Sequence, residues 1–367
     1  TTEIYTLSLH DALPIFSVLV ISLTLVFLFQ VVFVQRIQEK ENRTFVRVMG
    51  SHKEKVTPPK QEEKNEPVAP VQTGDYAGIF FENLKANKIG APIKKEGSGN
   101  YYVGARSAVV IDADTQTILH YQEGKRRMAI ASLTKMMTAI LVMEKIADLD
   151  REVVIVDQEA FQAEGAKVGC PRTGYCPYPR FQVGEMLSAR SVLEAMLLDS
   201  ANDAAVSLGK HIAGSQDKFA ELMNKKAKEL GLQDTHFCNP SGLVLDDQPG
   251  ACYSSAYDIA RIAAYSFRYE EIWKILKIKE KEITSLDGKL THKLVNTDIL
   301  LEELPNCLGG KTGFTYEAGK SLMMAAHLPE NEDRKVVAVI LDDNYRWQNM
   351  RGLLDWVFQA YQWPDIR

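Results

Sequence analysis

The 367-residue sequence contains no Walker loop, no Cys/His cluster at zinc-finger spacing and no Rossmann glycine fingerprint. The usual sequence signs of nucleotide, structural-zinc and dinucleotide binding are therefore missing. There is no excess of positive charge either. Lys and Arg total 43 against 48 Asp and Glu, a net charge of -5, with no basic patch or stripe of the kind nucleic-acid binders carry. No metal, no cofactor and no nucleic-acid partner is expected. What is present is an ordinary globular mixture, 46% hydrophobic and 25% charged, with enough chain for one sizeable domain plus appendages.

The N-terminal third is organised differently from the rest. Lys and Arg are absent before Arg36, and Phe16 to Val34 are apolar apart from Ser17, Ser22, Thr24 and Gln30. A run of that length and purity predicts a membrane-spanning helix over 16–35. A secretory signal peptide has a shorter core of ~7–15 apolar residues and a small-residue cleavage site, and no such site follows Val34. Residues 1–15 (TTEIYTLSLHDALPI) read as a non-native leader of adapter origin, an expectation that resequencing the locus tests. Residues 36–100 are charged and include Pro58, Pro59, Pro67 and Pro70, which predicts a solvated, semi-extended stalk. Within it Tyr76–Leu84 (YAGIFFENL) is a short apolar patch.

A globular domain is expected over 101–367. Ser107–Asp114 and Thr117–Gln122 form a predicted β-hairpin about the DADTQ turn. Apolar spacing predicts helices at Thr134–Ala147, Ala189–Leu198, Asp203–Ile212, Lys218–Leu230, Ser255–Ser266 and Trp347–Tyr361. Strand-like runs come late, at Gly310–Thr315, Ser321–His327 and Lys335–Leu341. This order, hairpin, helical block, strands and final helix, suits an α/β (α+β) fold. The first and last strands would share one antiparallel sheet, with helices packed on it and a helical subdomain inserted beside it.

Three short motifs carry candidate chemistry. Ser132-Leu133-Thr134-Lys135 places a hydroxyl and an amine one helical turn apart, and an uncharged lysine there can take the serine proton. Two further Ser-x-x-Lys matches, at Ser207–Lys210 and Ser215–Lys218, read as helix-surface coincidences. Ser200-Ala201-Asn202 offers a hydroxyl to relay a proton and an amide to hold a carbonyl and the lysine. The bland alternative for it is a helix N-cap, and Ser98-Gly99-Asn100 fits the same pattern. Lys311-Thr312-Gly313 occurs once. Its lysine supplies a cation for a carboxylate, its threonine a donor, and its glycines permit close backbone approach.

In this order the three motifs match the signature set of penicillin-binding proteins and class A β-lactamases. Together with ASLTKMMTA, SANDAA, THFCNPSGL, YSSAYDIARIA and GGKTGFTYEAGKSLMMAA, the sequence resembles the low-molecular-mass D-alanyl-D-alanine carboxypeptidases, the S11 serine peptidases, from about Ala105 to Tyr361. The resemblance implies a β-lactamase/transpeptidase-like fold, an antiparallel sheet with helices on both sides and a helical subdomain. It implies Ser132 as nucleophile, Lys135 as base, Ser200 as proton relay to the leaving amine, and Asn202 as the positioner of substrate and Lys135. Lys311 and Thr312 would bind the substrate carboxylate beside Gly313, and the backbone N–H groups of Ser132 and Phe314 would form an oxyanion hole. Each lysine would disfavour protonation of the other, leaving Lys135 neutral near pH 7.

The implied substrate is the D-Ala-D-Ala end of a peptidoglycan stem peptide, and β-lactams are the implied covalent inhibitors. The implied place of action is outside the cell membrane, although Arg36, Lys40, Arg43 and Arg47 after the apolar run would by themselves argue for the opposite orientation. The rival activities are a DD-endopeptidase, a β-lactamase of the same fold and a non-turnover β-lactam sensor. A class A β-lactamase holds its water with a Glu after the second motif, and no convincing equivalent is visible. Two departures stand out: the insertion Cys170–Pro179 between the first two motifs, and no second β-domain before Arg367. Of the five cysteines, Cys170 with Cys176 and Cys238 with Cys252 could each close a disulfide, leaving Cys307 odd. Five free thiols remain the alternative.

Overall fold

The computed structural model describes residues 90–170, 176–243 and 250–364. The expected leader, membrane helix, Tyr76–Leu84 patch and most of the stalk lie outside the described residues. Among the described residues no helix is long and apolar enough to cross a membrane. The elements in chain order begin with strands β1 (Ile93–Lys94), β2 (Ser107–Asp112) and β3 (Ile118–Gln122). Helix α1 (Lys135–Lys145), β4 (Val153–Ile155), α2 (Gln158–Gln162) and β5 (Met186–Ser188) follow. Next come α3 (Ala189–Leu198), α4 (Asn202–Ala213), α5 (Gln216–Glu229), α6 (Ala256–Ser266) and α7 (Glu270–Leu276). The chain closes with β6 (Glu280–Thr284), β7 (Thr291–Val295), β8 (Cys307–Thr315), β9 (Gly319–Leu328), β10 (Asn331–Leu341), α8 (Arg346–Ala360) and β11 (Tyr361–Gln362).

Five strands form one antiparallel sheet in the order β3-β2-β10-β9-β8. The early hairpin thus joins the late strands, as the order of apolar runs predicted. The hairpin turn is held by Asp112, whose Oδ1 accepts from the Thr115 N–H at 2.8 Å and hydroxyl at 2.7 Å. Both sheet faces are covered, so β2, β9 and β10 read as continuous apolar runs. On one face Ala108, Val110, Leu322, Met324, Ala338 and Ile340 pack with Leu353, Leu354 and Val357 of α8. On the other, Val109, Ile111, Met323, Ala325, Val337 and Val339 pack with α6 and the helical block. Fully burying one such Val, Leu, Ile or Met contributes about 1.5–3 kcal/mol.

The helical subdomain is built around α1, which packs against α3, α4, α5 and α6. Residues 135–142 of α1 are all buried, which explains why this helix is apolar on nearly every side. Side-chain caps set the other starts. Asp157, Ser188, Ser215 and Ser255 accept from Ala160, Ser191, Lys218 and Asp258 N–H groups at α2, α3, α5 and α6, each worth about 1 kcal/mol.

The folded unit begins before residue 101. Lys94 and Ile93 pair with Tyr361 and Gln362, and Arg334 donates to the Gly90 carbonyl at 2.9 Å. The last residues of the segment read as a stalk are therefore part of the domain. The two-stranded pairing β4–β5, the short hairpin β6–β7, and helices α2 and α7 were not predicted. Both candidate disulfides are present, Cys170–Cys176 and Cys238–Cys252, with Cys307 free and buried. The reading of five free thiols is thereby overturned.

Candidate active site

Ser132 sits on a 3-10 turn, Ala131–Thr134, that runs directly into α1. The turn is strained at its first residue, since Ala131 has φ +47°, a conformation that costs a non-glycine residue about 1–3 kcal/mol. Neighbouring chain holds it there. The Gly313 α-carbon faces the turn, and a Cβ at Gly313 would lie 2.9 Å from the Ile130 carbonyl oxygen. From the other side Gly242, at φ +83°, packs so closely that a Cβ would overlap the Ala131 carbonyl. The glycine of the third motif therefore makes room for the protein's own Ser132 turn.

Lys135 is fully buried. Its Nζ lies 2.8 Å from Ser132 Oγ, 2.7 Å from Asn202 Oδ1 and 2.7 Å from the Ser241 carbonyl oxygen. Asn202 Nδ2 donates to the Glu164 carbonyl at 2.7 Å, which fixes the amide with its oxygen toward the lysine. Asn202 and the Ser241 carbonyl can only accept at these positions. A neutral amine has two N–H groups to give them, and its lone pair is then left for the Ser132 hydroxyl. Burial and then the neighbouring Lys311 push the Lys135 pKa well below its ordinary value, against an opposing pull from Asp203. Geometry and electrostatics both favour the neutral form of this amine.

The Ser241 carbonyl is aimed by Asn239. Asn239 Oδ1 accepts from the Ser241 N–H at 3.1 Å, the Ser241 hydroxyl at 3.0 Å and the Gly242 N–H at 2.7 Å. Thr138 of α1 donates to the Pro240 carbonyl at 2.7 Å. This Asn-Pro-Ser-Gly loop lies inside the Cys238–Cys252 disulfide. In the sequence it was visible only as a block of the resemblance. Its function is carried by main-chain oxygen, which no residue type announces.

Ser200 is buried, with φ +59°, a second strained residue beside the site. It makes no hydrogen bond to Ser132 or Lys135. The N-cap reading of this motif is not what the fold uses, since α4 starts from Ala201 without a side-chain cap. The two other Ser-x-x-Lys matches are structural. Ser207 Oγ donates to the Asp203 carbonyl, Lys210 pairs with Asp157 and Glu159, and Ser215 caps α5. Asn100 of the Ser-Gly-Asn match accepts from Lys94.

The third motif lies on β8, an edge strand of the sheet that packs on the Ser132 turn. Lys311 is fully buried, and its Nζ donates only to the Thr312 carbonyl, at 3.3 Å, among the described residues. Burial and the Arg346 guanidinium lower its pKa to about 7, opposed by Asp298 and Asp199. The Thr312 hydroxyl is 2.7 Å from that of Thr297. The Phe314 side chain is 55% exposed, so any oxyanion contact from this residue is a main-chain one. Arg346, not singled out from sequence, donates to the Gly313 and Ser321 carbonyls, both at 3.0 Å, and fixes β8 to β9 beside the motif. No group of metal-ligating side chains occurs among the described residues.

A family profile described as D-alanyl-D-alanine carboxypeptidase matches residues 94–345. The chain belongs to the D-alanyl-D-alanine carboxypeptidase family. This S11 peptidase is 34% identical over 262 residues to the D-alanyl-D-alanine carboxypeptidase DacF of Bacillus subtilis, covering 70% of this chain and 63% of the relative. It is 31% identical over 260 residues to DacB2 of Mycobacterium tuberculosis, covering 69% and 82%. A D-alanyl-D-alanine endopeptidase of Pseudomonas aeruginosa is 31% identical over 238 residues, covering 65% and 70%. Among solved structures, a D-alanyl-D-alanine carboxypeptidase of Mycobacterium tuberculosis superposes with a TM-score of 0.62 at 29% identity, covering 73% of this chain and 96% of that one. Penicillin-binding protein D2 of Listeria monocytogenes in its ampicillin-bound form gives 0.56 at 28% identity, covering 71% and 100%. The fold is therefore the penicillin-binding serine peptidase fold that the motifs implied.

Proposed function

We propose that this S11 peptidase removes the terminal D-Ala from D-Ala-D-Ala stem peptides of peptidoglycan through an acyl-enzyme on Ser132. The observation that carries the reading is the Lys135 amine, fully buried and 2.8 Å from Ser132 Oγ, with its two other partners restricted to accepting. As Ser132 Oγ attacks the carbonyl carbon of the penultimate D-Ala, its proton passes to Lys135 Nζ. The developing oxyanion is met by the Ser132 and Phe314 N–H groups. As the C–N bond breaks, Lys135 returns that proton through the Ser200 hydroxyl to the leaving D-Ala amine, and the again neutral Lys135 serves as base for the water that attacks the acyl ester and frees Ser132. Asn202 orients Lys135 and the substrate, while Lys311 and Thr312 hold the terminal carboxylate beside Gly313. β-Lactams would acylate the same serine.

Two disulfides fit an oxidising compartment, and we place the domain outside the cell membrane, tethered through the apolar run 16–34. The names of the relatives also favour a second reading, cleavage of D-Ala cross-links by the same site, since an endopeptidase stands among them at 31% identity. Product analysis after incubation with a purified pentapeptide muropeptide and with a cross-linked dimer tests both. Release of D-Ala from the pentapeptide, lost in Ser132→Ala, is the expected result. Rapid penicillin hydrolysis with no D-Ala release would make the β-lactamase reading the better one.

A further inference from the structure

Asn202 is gripped by a stretch of main chain that has no place in the chemistry above. Residues 164–168 follow α2 and cross the start of α4, and alternate residues of the stretch present main-chain groups to it. The Glu164 carbonyl accepts from Asn202 Nδ2 at 2.7 Å, and the Ala166 carbonyl accepts from the Asn202 N–H at 2.7 Å. Two residues on, the Val168 N–H donates to the Asp203 carboxylate, 3.2 Å from Oδ1 and 3.3 Å from Oδ2. Asp203 is 1% exposed, and its Oδ1 also accepts from the Ala204 N–H at 2.9 Å. Gly165, at φ +75°, brings the stretch so close that a Cβ there would lie 2.7 Å from Asn202 Nδ2. Glu164 to Lys167 are exposed or half-buried, and full burial begins at Val168, the residue that Asp203 holds.

We infer that the stretch 164–168 is the element that orients Asn202 toward Lys135, and that Asp203 is the positioning residue that ties this element to α4. The inference rests on the role of base proposed for Lys135. Asn202 Oδ1 lies 2.7 Å from Lys135 Nζ, where an acceptor is needed. The two ends of an amide are close in size, so only the chemistry of their partners keeps oxygen and nitrogen in place. The Glu164 carbonyl can only accept, and it therefore selects the nitrogen. Were the stretch to drift away, the Asn202 amide could turn over and point an N–H at the Lys135 nitrogen. That N–H would occupy the lone pair that the Ser132 proton needs. Among the described residues Asp203 makes no hydrogen bond to Ser132 or Lys135, so its action runs through Asn202. Asp199 supports the stretch one residue further on, accepting from the Gly169 N–H at 3.4 Å, but it also serves the Val295 N–H at 2.6 Å. Asp203 is thus the carboxylate given over to this stretch and to the helix start beneath it.

The test is a double-mutant cycle on the rate of fluorescent-penicillin acylation in the full chain, with Asp203→Ala, Asn202→Ala and both together. Asp203→Ala should slow acylation about tenfold when Asn202 is present and less than about twofold when it is not. Calorimetry shows that each variant is folded. Asp203→Asn keeps Oδ1 as an acceptor and should recover part of the lost rate. A residue that merely stabilised α4 would give the same loss in both backgrounds, and that additive result overturns the inference. An Asp203→Asn variant no faster than Asp203→Ala overturns it as well. Should Asp203→Ala not fold, Gly165→Ala takes its place in the cycle, since it presses a methyl group on Asn202 Nδ2 from the stretch itself. Its loss should likewise shrink once Asn202 is gone, and an additive loss there is equally fatal. Lys135→Met separates the two levels. A loss of less than about tenfold in that variant brings down the reading of Lys135 as base together with this inference. A large loss there beside an additive cycle sinks only the role of Asp203 and its stretch.

Discussion

Lys135 Nζ and the Ser241 carbonyl oxygen lie 2.7 Å apart, 106 positions distant in the chain. That one contact decides how the amine is used. A neutral amine spends its two N–H groups on Ser241 and Asn202, so its remaining lone pair is directed at Ser132. A lysine on an open helix face three residues from a serine would have no such direction. Lys135→Met should keep the helix, since the position is wholly buried, and lower the rate of penicillin acylation by about 10²–10⁴-fold. Stopped-flow labelling measures it, and a loss of less than about tenfold would remove Lys135 from the role of base.

Asn239 is predicted to act on that geometry from a distance. Truncation to Ala leaves the Ser241 and Gly242 N–H groups without their acceptor in a buried loop, at about 1–3 kcal/mol for each group left unpaired. Asn239→Ala should therefore lower the Tm by several degrees and slow acylation. Asn239→Asp keeps the acceptor but loses the donor to the Leu243 carbonyl and sets a carboxylate oxygen against it, so it should recover only part of the stability. Differential scanning calorimetry beside the labelling assay checks both.

Gly242→Ala should fail for a different reason. The position has φ +83° and its Cβ would enter the Ala131 carbonyl, the residue immediately before the nucleophile. Backbone on both sides has to shift, at a cost of about 1–3 kcal/mol, and Ser132 moves with it. The expected signature is a folded protein with strongly reduced acylation. Wild-type rates in that variant would show that the turn tolerates displacement.

The two lysines make opposite demands on pH. Lys135 must be neutral, and burial with the Lys311 charge depresses its pKa, so activity rises as pH climbs through that lowered value. Lys311 must be charged, and its pKa lies at about 7, so recognition of a carboxylate falls as pH passes through that region. The product is a bell-shaped profile of kcat/KM for the free-acid peptide. Lys311→Arg keeps its charge to pH 12 and beyond and should flatten the alkaline limb whatever its absolute rate. A limb that stays in place in that variant would assign it to another group.

Thiol counting on unreduced, unfolded protein should find one free cysteine, Cys307. Cys252→Ser opens a loop whose ends are 14 positions apart, a loss of about 3 kcal/mol by loop-closure arithmetic. Its effect on acylation should exceed that of Cys176→Ser, because only the first pair encloses Asn239 and Ser241.

Most of the frame was readable in the residues, and the reasons are local. Ala189–Leu198 was placed to the residue because Ser188 caps it and Asp199 follows. The three late strands were found as apolar runs but drawn short; at β10 the missed start, Asn331–Asp333, is polar and exposed. The pairings β4–β5 and β6–β7 were missed because three to five residues give too little alternation to separate a strand from a loop. Within the site, Ser132, Lys135, Asn202 and Lys311 were legible as side chains with chemistry of their own. The Ser241 and Glu164 carbonyls were not, since their contribution is main-chain oxygen. The glycines about the third motif were read as permitting close backbone approach, whereas the space beside Gly310 is taken by the Asp298 carboxylate. That distinction needs the neighbouring chain, which lies 12 positions upstream and follows no periodic pattern.

The Cys238–Cys252 bond has a consequence for the life history of the molecule. The loop that orients Lys135 is anchored by a covalent bond formed only after synthesis, so a newly made copy carries all of its site residues before it carries their arrangement. We expect competence to rise with oxidation of this pair. On the placement proposed above, a hydrolase matured in this way would be less active toward D-Ala-D-Ala precursors on the reducing side of the membrane than where the finished polymer lies.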